Sequence, residues 1–289
     1  MIDLRNVGVV FHLNRSNDDA LGYAEDLVVT NKGQLHIYCP VPSSIADDEL
    51  LELKVSLQEM LKVPFEFRVL QGVPQVSIVD AATEDKLDIL ITEPDETGAV
   101  TRFFYGSLTL SILRKAPCPV WVVNKSRNET YQRVLIAVDL FQSDEVSSRL
   151  NTGLVEIGSA FAKKQGAECH LVSVWKLDIE DTLHSPFLNI PQDKIDTLVS
   201  ERNVECLRIY NSFVAEHESM LQDVNSQLVH GEASRILIDY IEDNKIDIII
   251  MGTHARAGIK GFVIGNTAES LINQIDCSII AVKPDIFNN

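Results

Sequence analysis

Residues 246–269, IDIIIMGTHARAGIKGFVIGNTAE, run from an apolar, strand-length segment through a basic, glycine-punctuated loop to a helix start at GNT. IDIIIM (246–251) is apolar on both faces, which suits a central strand of a parallel sheet rather than a strand with one wet face. A strand that ends on Gly252, a loop carrying His254, Arg256 and Lys260, and a helix opening at Gly265 together make a connection that can cradle a phosphate. The first N–H groups of that helix have no intrahelical partner and lie at the positive end of its dipole. The same stretch also reads as a long strand-to-helix connection without a ligand.

The stretch is the second copy of a repeat. Residues 72–123 align with 231–282 at a constant offset of 159, without a gap, and 11 of the 52 positions are identical. Among them are Gly72/Gly231, Asp88/Asp247, Gly106/Gly265 and Cys118/Cys277. The apolar pattern matches along the whole segment. Earlier in the chain, NVGVVFH (6–12) pairs with RVLIAVD (133–139) at an offset of 127, so the second copy is longer by 32 residues before Gly231. The polar stretch NKSRNETY (124–131) separates the copies, which predicts domains at 1–127 and 128–289.

Within the second copy, strands are predicted at 133–138, 168–175, 226–231, 246–251 and 277–282. Helices are predicted at 148–166, 191–221, 233–244 and 265–275. Gly166 marks the end of the first helix. The long helix has Ile195, Leu198, Val199, Cys206, Tyr210, Phe213 and His217 near one face. Strands alternating with helices predict an α/β chain of two tandem, doubly wound, five-stranded parallel-sheet domains. Ligands of such sheets sit beyond the carboxyl ends of the strands, where Asp139 and Gly252 fall.

Composition narrows the function. With 25 basic and 42 acidic residues the net charge is −17, which argues against a nucleic acid or an anionic membrane surface as partner. Five scattered cysteines without a C-x-x-C pair suit reduced thiols in a cytoplasmic protein, and the histidines have no metal spacing. The first 19 residues lack the pattern of a signal peptide, and no apolar run nears the length of a membrane span. Neither the P-loop nor the dinucleotide fingerprint occurs. No catalytic constellation stands out, so the expectation is a binding protein rather than an enzyme.

The loop and both halves of the chain resemble the universal stress protein family. IDIIIMGTHARAG and CSIIAVKP are similar to the family's fourth and fifth strand regions, and the tandem layout looks most like the bacterial E-type members. The resemblance implies a Rossmann-like fold of the adenine nucleotide alpha hydrolase kind and a role in stress response. Nucleotide-binding members carry Gly, two residues, Gly, nine residues, Gly, then Ser or Thr. Here the run is Gly252, two residues, Ala255, nine residues, Gly265, Asn266. The resemblance assigns Asp139 and Val174 to the adenosine end of ATP or another adenine nucleotide. It assigns Gly252, His254, Gly265, Asn266 and Thr267 to the ribose and phosphates.

Two positions depart from the pattern. Ala255 replaces a glycine; if that position needs φ > 0, alanine costs about 1–2 kcal/mol. Asn266 replaces a hydroxyl residue, with an amide that can still donate. The first copy departs further, with Glu93, Asp95 and Glu96 at the phosphate end, where they would repel a triphosphate, and His12 in place of Asp139. Only its Gly106–Ser107 helix start remains.

Two readings stay open. One is a cytoplasmic stress protein that binds an adenine nucleotide in its second copy alone; the other is a nucleotide-free scaffold or partner-binding protein. The last strands, CPVWVV (118–123) and CSIIAV (277–282), would each be an open sheet edge, and they are expected to pair with one another within the chain. A homodimer is also left open.

Overall fold

The computed structural model describes residues 4–13, 15–42, 45–94, 107–124, 130–177, 179–183, 190–253 and 265–284. They form two compact units, residues 1–127 with 253–289 and residues 128–252.

The first unit begins β1 (Asn6–Val10), α1 (Asp18–Asn31), β2 (Gln34–Pro40), α2 (Asp47–Met60) and β3 (Phe65–Leu70). It continues through α3 (Pro74–Glu84), β4 (Ile89–Thr92), α4 (Ser107–Lys115) and β5 (Val120–Val122). The second holds β6 (Arg133–Val138), α5 (Glu145–Gln165), β7 (Glu168–Trp175), α6 (Glu180–Leu183), α7 (Gln192–Glu216) and α8 (Glu218–Leu221). It closes with β8 (Val224–His230), α9 (Ala233–Asp243) and β9 (Ile248–Gly252). The last elements, α10 (Asn266–Ile272) and β10 (Ser278–Val282), belong to the first unit.

In the first unit the strand order is β3-β2-β1-β4-β5-β10, parallel throughout except for β5 and β10. Those two run antiparallel, with Ile279 opposite Val122, Ile280 opposite Trp121 and Ala281 opposite Val120. All eight of their residues are buried, which is what draws 253–289 into this unit. The Ser278 hydroxyl accepts from Asn124 N at 2.8 Å, and Lys283 Nζ donates to the carbonyls of Arg114 (2.9 Å) and Ala116 (2.6 Å). Lys283 thereby satisfies carbonyls that the end of α4 leaves without helical partners.

In the second unit the order is β9-β6-β7-β8, all parallel. Val134, Leu135, Ile136, Ile248, Ile249 and Ile250 are wholly or almost wholly buried in the central pair, as their two-faced apolar pattern requires. Each such side chain contributes about 1.5–3 kcal/mol of burial. The helix α5 starts at Glu145, three residues before its predicted start, because Asp144 caps it: Oδ1 accepts the Ser147 N–H at 2.9 Å. Its other end is Gly166, left-handed at φ 64°, as predicted.

The offset between equivalent residues rises from 127 (Gly8 and Leu135) to 134 (His36 and His170) to 159 (Phe65 and Val224). Seven of the 32 additional residues therefore fall between the first and second strands of the copy, and 25 fall between the second and third, where α6, α7 and α8 lie. The long helix predicted to Leu221 breaks at His217, whose φ of −106° and ψ of 18° leave the helical region. The buried ring of His217 holds the break, with Nδ1 2.9 Å from Phe213 O and Nε2 3.2 Å from Thr152 Oγ1 of α5. Leu198, expected on the packed face of α7, is 40% exposed; Ile195, Cys206 and Tyr210 carry that face.

The identities between the copies have structural causes. Gly72 and Gly231 have φ of 93° and 146°, which side chains rarely adopt, and Lys86 and Lys245 sit in matching left-handed turns at 49° and 50°. Asp88 Oδ2 accepts the N–H groups of Arg5 (2.8 Å) and Asn6 (2.7 Å), while Asp247 Oδ2 accepts those of Gln132 and Arg133 (both 2.8 Å). The cysteines are all buried, and burial pushes the Cys118 thiol up to about 12 and those of Cys39 and Cys169 up to about 11.

Candidate functional site at the strand ends

Asp139, Val174 and Gly252 come together at the carboxyl ends of three adjacent strands of the second unit, β6, β7 and β9. Asp139 is exposed at the end of β6. Its backbone is held by Asn151 of α5, which accepts from Asp139 N (3.2 Å) through Oδ1 and donates to Asp139 O (2.6 Å) through Nδ2. Its carboxylate accepts from Phe141 N (3.2 Å) and Gln142 Nε2 (3.3 Å). The turn after β6 is thus built around this one aspartate. Gly252 ends β9, and a Cβ there would lie 2.7 Å from Leu150 Cδ2 of α5, so the absence of a side chain serves the packing of α5 on β9.

Gly265 caps α10 in an extended conformation (φ −61°, ψ 148°), and its carbonyl accepts the Glu269 N–H at 2.9 Å. Thr267 is half-buried in the first turn of α10, and Asn266 is its first residue. These three belong to the first unit, and Glu269 of the same helix pairs with Arg114 at the end of α4. His254 and Ala255 lie outside the described residues, as do Arg256 and Lys260.

The equivalent strand ends of the first unit are occupied by the chain's own side chains. Glu93, which stands where the second copy has Gly252, turns inward, and Oε1 accepts the Ala20 N–H at the start of α1 at 3.2 Å. Arg15 donates to the carbonyls of Glu93 (3.1 Å) and Pro94. Buried Asn17 holds His12 as Asn151 holds Asp139: it accepts from His12 N (2.8 Å) and donates to His12 O (2.9 Å). His12 Nε2 lies 3.3 Å from Thr92 Oγ1. Burial and the Arg15 charge lower the His12 pKa to about 3, so its imidazole is neutral at physiological pH. Burial raises Glu93 above the ordinary carboxylate range, and the Ala20 N–H only partly offsets it. Asp95, Glu96 and Gly106 lie outside the described residues.

Sequence reasoning anticipated Glu93 as a repelling charge and did not foresee its cap on α1. It also missed Arg15, Asn17 and Asn151. Asn17 had a readable signal, an asparagine directly before a helix. Asn151, inside a helix, had none.

Among the described residues, no group of three or more His, Cys, Asp or Glu is placed to hold a metal ion, and no helix is long and apolar enough to cross a membrane. The universal stress protein family model matches residues 4–124 and again residues 130–283. The chain belongs to the universal stress protein family, and the double match makes it a tandem member. It is 24% identical to universal stress protein E of Escherichia coli over 229 residues, covering 77% of this chain and 69% of that protein. To the universal stress protein E homolog of Haemophilus influenzae it is 21% identical over 211 residues, covering 72% and 66%. The chain thus spans about two thirds of the length of these curated relatives. Among solved structures, a functionally unknown protein of Pseudomonas aeruginosa PAO1 superposes with a TM-score of 0.76 at 20% identity, covering 99% of this chain and 95% of that one. A universal stress protein from Archaeoglobus fulgidus gives 0.60 at 16%, covering 96% and 98%. These likenesses establish the tandem α/β fold, and family membership supports a role in stress response.

Proposed function

We propose that this protein binds ATP or another adenine nucleotide through its second copy alone, as a binding rather than a catalytic stress protein. The observation that carries the reading is the contrast between Glu93 and Gly252. In the first unit a carboxylate stands at the strand end and accepts the Ala20 N–H of α1. In the second, the equivalent strand end carries a glycine with no side chain, one strand away from Asp139. Asp139 and Val174 receive the adenosine end, and Gly252, His254 and the Gly265–Asn266–Thr267 helix start receive the ribose and phosphates. The cytoplasm is the compartment that suits this reading, and the β5–β10 pair serves as the junction between the repeats.

Isothermal titration with ATP tests it. The expected result is one site per chain, lost in Gly252→Glu, which copies the first unit, and in Gly265→Trp. Ala255→Gly strengthens binding by at most about 1–2 kcal/mol if the alanine is strained. Two sites per chain overturn the assignment. Absence of binding at millimolar ATP in both the wild type and Ala255→Gly leaves the nucleotide-free scaffold as the function.

A further inference from the structure

The clamp on Asp139 occurs twice in the chain, built from two different places on the helix that follows. Asn17 is the residue directly before α1, five residues after His12, whereas Asn151 lies in the second turn of α5, twelve residues after Asp139. Asp18 and Glu145, the first residues of the two helices, each lie six residues past the clamped one. The helices end at equivalent left-handed residues, Lys32 and Gly166, and α5 has 21 residues to the 14 of α1. The seven residues added between the first two strands therefore all lengthen α5 at its start, by about 10 Å. The clamp is the same in both units all the same. Each asparagine is buried, 3% and 5% exposed, and each gives Oδ1 to the N–H and Nδ2 to the carbonyl of a single residue.

Two bonds to the peptide groups on either side of one α-carbon fix its backbone angles, and with them the direction in which its side chain leaves. In the first unit the residue so aimed is His12, a half-buried ring beside the Thr92 hydroxyl. In the second it is Asp139, exposed at the end of β6, whose carboxylate accepts from Phe141 N and Gln142 Nε2 of the same turn. Leu150, the neighbour of Asn151, packs at the end of β9, where a Cβ on Gly252 would lie 2.7 Å from its Cδ2. One turn of α5 thus meets the ends of two paired strands, β6 and β9. We infer that Asn151 is a positioning residue of the second-copy site: it aims the Asp139 carboxylate at the adenosine end, and it acts on the ligand only through that carboxylate. The inference rests on nucleotide binding by the second copy.

A double-mutant cycle on the full chain, read by isothermal titration with ATP, tests it. Asn151→Ala and Asp139→Ala each weaken binding about ten-fold, the size of two ordinary net hydrogen bonds or one to a charged group. The double variant binds within about two-fold of either single one, because Asn151 then has no carboxylate to place. Asn17→Ala, which removes the same clamp from the first unit, leaves the affinity unchanged. Asn151→Asp keeps the shape of the side chain and loses the donor to Asp139 O, and it replaces Asn151→Ala in the cycle if the alanine variant does not fold. Losses that multiply to about a hundred-fold in the double variant, or an Asn151 variant that binds as the wild type does, overturn the inference and leave the nucleotide reading standing. A wild type that binds no ATP overturns both.

Discussion

The carboxylate of Glu93 accepts the backbone N–H of Ala20 at 3.2 Å, so the first turn of α1 is capped from the end of β4, 73 residues away in the chain. The contact does two things at once. It satisfies a helix donor that no residue of α1 can satisfy, and it fills the place where the second copy carries a bare glycine. Because burial raises the Glu93 carboxyl above its ordinary value, with the Ala20 N–H as a partial offset, the folded state binds this proton more tightly than the unfolded chain does. The ionised form therefore costs stability above that raised pKa, and the cost is relieved as the pH falls through it. Glu93→Gln, whose amide oxygen can still accept from Ala20, should equal or exceed the wild type in urea midpoint near pH 7. Its advantage should vanish below the pKa of an unfolded glutamate, about 4.3. A midpoint lowered at pH 7 would show that the ionised carboxylate is the preferred cap.

His12 carries the opposite sign. Burial, then the Arg15 charge, depress its pKa to about 3, so its neutral form contributes stability that is full above the unfolded value of 6.5 and is lost as the pH falls toward about 3. Thermal melts across that window should show the first unit weakening steadily with acid. His12→Asn, which does not titrate, should flatten that slope while lowering stability near neutrality through the lost Thr92 contact. An unchanged slope would place the acid sensitivity elsewhere, with His170 the next group to test, since burial lowers it as well.

Asp88 and Asp247 each hold two consecutive backbone N–H groups at the start of the first strand of their copy. Asp247 is 6% exposed, so replacing it with alanine strands both donors away from water. The expected loss is about 2–4 kcal/mol for Asp247→Ala, and less for the more exposed Asp88→Ala, read from chemical denaturation. Equal losses at the two sites would mean that burial does not set the cost.

Ile280 sits opposite Trp121 in the antiparallel β5–β10 pair and is 3% exposed. Ile280→Ala should cost about 2–5 kcal/mol. Although Ile280 lies in the second copy of the repeat, its loss should speed hydrogen exchange in β4 and β5 of the first unit. Exchange there at the wild-type rate would contradict the grouping of residues 253–289 with the first half.

Much of the fold was readable before any coordinates. Two-sided apolar runs such as IDIIIM identify central parallel strands because burial on both faces is a property of the segment itself. The identities at Gly72/Gly231 and Asp88/Asp247 mark the repeat because each is a single residue type at a constant offset. The break at His217 was not readable, since it depends on a ring bonding to Thr152 of another helix. The site was half legible. Asp139 and Gly252 follow from the rule that ligands meet parallel sheets at strand ends, whereas Asn151 acts from mid-helix and leaves no mark in the local pattern.

What the sequence determined by itself is the tandem α/β architecture, the register of the repeat and the loss of glycine at position 93. Each of these is written in short-range periodicity or in a single residue type. Only the tertiary structure decided that Glu93 turns onto Ala20 rather than toward solvent and that Glu180 reaches His230 across 50 residues. The physical reason is the same in both. A carboxylate or a lone imidazole states only that it needs a partner, and the partner is chosen by whichever group the folded chain brings within hydrogen-bonding distance.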